Sequence, residues 1–242
     1  MKKLLKRTLI IIVILLPLMT FAHFMVFPQE TRCIFISFSN FEHKQNVYYI
    51  KTTKQVENLF QIKKAAEEKV KNFWKENELP DYTLIYCDSE KEYDKYGTPG
   101  TPATTQRKLG AYVVISNEGV DEQIIAHEIT HTILYNRIGW FKAITKIPTW
   151  FEEGLAMQVD DREKYAIDSL QVKINNGLKL PNVSNIANGS QFYSGDDNTI
   201  TLHYTTAKYV LSEWLKTHSL VLFIQKMSKG EGFEKAYNES IK

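Results

Sequence analysis

Two histidines and a glutamate stand in one of the most apolar stretches of this 242-residue chain, and any fold must give them partners. Ile124-Ile125-Ala126 lead into His127-Glu128-Ile129-Thr130-His131, and Ile133-Leu134 follow, so the segment reads as a core helix. Burying two imidazoles and a carboxylate unpartnered is costly, whereas one metal ion relieves all three. On a helix, positions i and i+4 project about 40° apart, so His127 and His131 can turn ring nitrogens toward the same ion. Glu128 directly follows His127. It is poorly placed to share the ion but well placed to take a proton from water, which makes it the candidate general base.

A metzincin-type third ligand would require Gly at position 134 and His at 137. The chain has Leu134 and Arg137, so that class is excluded. The remaining common solution takes a carboxylate from a second helix. The run Pro148-Thr149-Trp150-Phe151-Glu152-Glu153-Gly154-Leu155-Ala156 offers two adjacent glutamates behind a helix-starting proline. Downstream, Leu202 to Leu215 has helical periodicity, with Tyr204, Ala207, Val210, Leu211 and Trp214 on one stripe.

The pairing of His127-Glu128-x-x-His131 with Trp150-Phe151-Glu152-Glu153-Gly154-Leu155-Ala156 resembles the gluzincins, in particular peptidase MA-like domains and the catalytic domain of aminopeptidase N-like enzymes. The resemblance implies one Zn2+ per chain held by His127, His131 and Glu153, with Glu152 at a flanking position. It also implies peptide-bond hydrolysis by metal-activated water, with Glu128 as the base. Tyr204 corresponds to the family's tyrosine that donates to the oxyanion, and its neighbour His203 is a candidate substrate contact. The family lays substrate backbone along an edge strand just before the zinc helix, which Gly110-Ala111 would mark here. One departure matters. Aminopeptidase N-like enzymes carry Gly-Ala-Met-Glu-Asn at that strand, whereas this chain has Gly110-Ala111-Tyr112-Val113-Val114. No glutamate waits for a free α-amine, so an endopeptidase is expected. The contrasting expectation is a zinc-binding zincin fold that serves as a binding or assembly factor without turnover.

At the N-terminus, Lys2, Lys3, Lys6 and Arg7 form a cytoplasmic basic region, 1–7, ahead of an uncharged stretch, 8–27, long enough to cross a bilayer. The positive-inside bias then places residues 28–242 on the non-cytoplasmic side of a single-pass anchor. Cleavage after Ala22, releasing a secreted or periplasmic protein, is the alternative. Once the basic region is set aside, the exported part is nearly neutral, so no nucleic-acid surface is expected. The partners expected are a peptide or protein substrate and the membrane. Cys33 and Cys87 would both be exported, where either a disulfide or two buried thiols would fit.

The expected fold is α+β: a gluzincin (thermolysin-like) catalytic domain with a small mixed sheet and a helical lobe, behind an N-terminal membrane helix. Strands are expected at Cys33 to Phe38, Asn46 to Thr52, Tyr82 to Cys87 and Leu109 to Ser116. Helices are expected at Lys54 to Asn77 and Asp161 to Asn176. Lys95 to Thr105 and Pro181 to Thr201 read as loops, the latter with Asp196-Asp197 as a solvated turn rather than a calcium site.

Overall fold

The computed structural model describes residues 15–50 and 56–242, which fall into two units: 15–50 with 82–118, and 56–81 with 119–242. In chain order the elements are α1 (Pro28–Ile34), β1 (Glu42–Lys44), β2 (Val47–Tyr49), α2 (Val56–Trp74), β3 (Thr83–Tyr86), α3 (Glu90–Tyr96), β4 (Ala103–Gln106) and β5 (Tyr112–Ile115). There follow α4 (Glu122–Ile138), α5 (Trp140–Lys146), α6 (Thr149–Ala156), α7 (Ile167–Asn175), α8 (Gly189–Phe192), α9 (Asp197–Thr217), α10 (Leu220–Ser228) and α11 (Phe233–Glu239). The chain is thus mixed α+β, as expected.

In the first unit, five strands among the described residues form one sheet in the order β1-β2-β3-β5-β4. β3 runs parallel to β2 and β5, while the outer pairs β1/β2 and β4/β5 are antiparallel. Leu84-Ile85-Tyr86 and Val113-Val114-Ile115 are fully buried, the unbroken apolar pattern of interior strands covered on both faces. The strand beginning at Tyr112 is therefore interior rather than the edge expected from the sequence; the edges are β1 and β4. Gly110 and Ala111 lie just ahead of it, and the Ala111 carbonyl already accepts from Thr83 N at 2.8 Å.

Cys33 and Cys87 share an apolar cluster with Ile36, Ile85, Tyr93, Tyr96 and Val114. Both thiols are free, and burial pushes each upward from its ordinary pKa. Of the two sequence alternatives, the structure has buried thiols.

Two other expectations are corrected in this unit. Cys33 to Phe38 is not a strand. Pro28 starts α1 at the position where its missing N–H costs nothing, and a 3-10 turn at Ile36–Phe38 follows. Lys95 to Thr105 is not one loop: Ser89 caps α3 through Glu92 N, and Ala103–Gln106 pairs with β5. Of the uncharged stretch 8–27, residues 8–14 lie outside the described residues. Residues 15–26 are helical, and Leu16, Leu18, Met19, Phe21, Met25 and Val26 are 60–66% exposed. Among the described residues, no helix is long and apolar enough to cross a membrane.

The second unit is built around α4. Asp121 caps it, with Oδ1 accepting from Gln123 N at 2.8 Å and Ile124 N at 3.1 Å, and Gly139 ends it at φ +88°. α2 packs on α4 with Leu59, Ala66, Val70 and Trp74 buried. α6 is buried along its length because Phe151 sits among Trp214, Phe223, Phe233 and Tyr237, with ring centroids 4.5–6.0 Å away.

Pro181 to Thr201 is also structured, with a 3-10 turn at Val183–Ile186, α8 and the start of α9. Its polar residues are helix caps. Asn182, Asn188 and Asp196 accept from Ser184 N, Gln191 N and Thr199 N, which assigns Asp196 to capping rather than to a calcium site. The helix expected over Asp161 to Asn176 begins only at Ile167, after a 3-10 turn at Glu163–Tyr165.

Candidate metal centre

Three side chains converge inside the second unit. His127 and His131 project from one face of α4, and Glu153 faces them from α6; all three are buried. The two Nε2 atoms are 3.1 Å apart, and Glu153 Oε2 lies 3.2 Å from His127 Nε2 and 3.6 Å from His131 Nε2. A tetrahedral ion with ligands at about 2.0–2.1 Å has ligand–ligand edges of about 3.3 Å, which the three separations bracket. The Glu153 Oε2 atom is buried without a hydrogen-bond partner. A buried acceptor facing two imidazole nitrogens at these distances is the donor set that a divalent cation satisfies. These three residues could hold such an ion.

The electrostatics point the same way. Burial alone would lower the His131 pKa, but the charges of the Glu153 and Glu152 carboxylates beside it outweigh burial and raise the value. Burial alone would raise Glu153, but the charges of His131 and His127 facing it hold it well below the ordinary carboxylate range. The carboxylate and the imidazoles thus stabilise one another's charged forms, and the cluster favours positive charge.

A small residue brings the two helices and a third together. A Cβ built on Gly154 would lie 2.6 Å from the Ala207 carbonyl oxygen, so only glycine lets α6 meet the backbone of α9 there. That crossing sets Tyr204, one turn before Ala207, beside the His127-His131-Glu153 cluster: its ring centroid is 6.3 Å from that of His127. Burial, followed by the charges of Glu153, Tyr165 and Glu128, raises the Tyr204 pKa well above its ordinary value. Its hydroxyl therefore stays protonated at neutral pH. Glu128 is half-buried on α4.

His203 goes elsewhere. Consecutive helix residues diverge by about 100°, and the His203 Nδ1–H donates to the Phe192 carbonyl at 2.7 Å, tying α9 to α8. Gly110 and Ala111 belong to the other unit.

The structure adds residues that the sequence reading did not single out. Tyr193 donates to Glu153 Oε1 at 2.5 Å. Tyr135 donates to Glu152 Oε1, the atom that also lies 3.2 Å from His131 Nδ1. Tyr135 was legible, since it follows His131 by four residues on a helix. Tyr193 was not, because nothing local announces α8. Asp160, fully buried, is bound by the Arg162 guanidinium through Nε to both carboxylate oxygens at 3.0 Å. Burial would raise its pKa, but the Arg162 hydrogen bonds and charge lower it.

No protein-family model, curated protein or solved structure matches this chain.

Proposed function

We propose that the chain is a zinc-dependent metallopeptidase of the gluzincin type, an endopeptidase that hydrolyses peptide bonds in protein substrates. The observation that carries this reading is the buried triangle of His127 Nε2, His131 Nε2 and Glu153 Oε2, with edges of 3.1–3.6 Å and Glu128 next to its first member. Bound there, zinc would supply Lewis acidity that brings the pKa of water toward about 7 and polarises a carbonyl.

The chain's own residues would handle the protons. Glu128 accepts one from the attacking water and passes it to the leaving amine. Tyr204, held protonated, donates its hydroxyl to the oxyanion. Glu152, anchored by Tyr135, would orient the His131 ring through Nδ1. We read residues 8–27 as an anchor that leaves the catalytic part on the non-cytoplasmic side. The exposed apolar side chains along 15–26 support that reading.

The test is cleavage of casein by the full chain in detergent. Cleavage lost to a chelator and restored by zinc supports a metallopeptidase. Zinc uptake without cleavage of any unstructured protein points to a non-catalytic zinc-binding factor instead, and failure to take up metal overturns both readings.

A further inference from the structure

Glu153 has two carboxylate oxygens with different surroundings. Oε2 faces the two histidine nitrogens without a hydrogen-bond partner, whereas Oε1 accepts from the Tyr193 hydroxyl at 2.5 Å. A carboxylate can hold a cation through one oxygen or through both, and the choice decides how many positions around the ion remain for water and substrate. A hydroxyl donating to Oε1 takes one of that oxygen's two lone pairs and competes with a second bond to the ion.

We propose that Tyr193 is a positioning residue that keeps Glu153 a one-oxygen metal ligand, so that the ion retains an open position. This rests on the metal site under Proposed function and extends it to a residue outside both motifs. The fold supports the role. Tyr193 directly follows α8, whose last residue, Phe192, is fully buried and packs edge-on against Tyr204 at 5.0 Å. The backbone carrying the hydroxyl is therefore fixed to α9, the helix that α6 meets at Gly154. Tyr193 is 48% exposed, so little of the core depends on it.

The test uses the full chain in detergent, unmutated and as Tyr193→Phe, which removes one oxygen and keeps the ring. Zinc affinity is measured by competition with a chromophoric chelator, and the visible bands of the cobalt-substituted proteins are recorded at saturating cobalt. Tyr193→Phe is expected to bind zinc about 10-fold or more weakly, as for loss of other groups that orient metal ligands. Its saturated cobalt bands should also weaken and shift, because Glu153 closes on the ion with both oxygens and raises the coordination number.

A Tyr193→Phe protein that melts lower without metal but gives an unaltered saturated cobalt spectrum would overturn the proposal, leaving Tyr193 a merely structural residue. Unchanged affinity and spectrum would overturn it as well. If the unmutated chain takes up neither ion, the metal site beneath the proposal fails with it.

Discussion

Replacing Gly154 by alanine should damage the proposed metal centre without touching any of its proposed ligands. The added Cβ would stand 2.6 Å from the Ala207 carbonyl oxygen and 3.0 Å from its carbon. Ordinary contact begins at about 3.4 Å, so α6 and α9 must part by about 0.8 Å to admit it. Overpacking of this kind costs about 1–3 kcal/mol, and alanine recovers about 1 kcal/mol through its better helix propensity. The net loss should be about 1 kcal/mol. The larger effect falls on the metal, because Glu153 is the preceding residue and ligand distances tolerate only about 0.2 Å. Zinc affinity should fall by at least about 10-fold. Thermal melting of the metal-free protein and a chelator-competition titration would read the two effects. Gly232→Ala is the control for the zinc titration, since a Cβ there meets nothing within 4 Å and the helix it caps, α11, carries none of the proposed ligands. A Gly154→Ala protein that melts and binds zinc like the parent would refute the close helix crossing as the device that assembles the site.

Two other outcomes follow from the same geometry. Tyr204→Phe should retain zinc and lose about 10²-fold or more in kcat, as for removal of other oxyanion donors; unchanged turnover in steady-state assays would remove Tyr204 from the chemistry. In the metal-free protein, His131 is raised above its ordinary 6.5 and Glu153 is lowered below its ordinary 4.5. The histidine's contribution to stability is fully present below 6.5 and fades as pH rises above it. The glutamate's is present above 4.5 and fades as pH falls below it. Melting temperature should therefore peak between these values in chelator, and a steady rise to pH 9 would contradict the pair.

Local patterns made much of the site legible. His127, Glu128 and His131 are placed by helical spacing alone, and Pro148 announces the helix that carries Glu153. Choosing Glu153 over Glu152 needed more than spacing, since the two are adjacent; the structure turns Oε2 of Glu153 to both Nε2 atoms and sets Glu152 at His131 Nδ1. The segment from Pro181 to Thr201 misled because caps and loops use the same residues. Asn182, Asn188 and Asp196 look like turn formers until their backbone partners are known. Tyr193 was hidden for the same reason, as was the interior position of β5, since an apolar four-residue strand reads alike at an edge or in the middle.

The most direct measurement compares the full chain with its Glu128→Gln form for zinc content and casein cleavage side by side. About one zinc in each, with cleavage lowered by about 10²-fold or more only in Glu128→Gln, is the expected result for a base that does not hold the metal. Undiminished cleavage by Glu128→Gln, or metal lost from it, would contradict the roles assigned to the His127-Glu128-x-x-His131 helix.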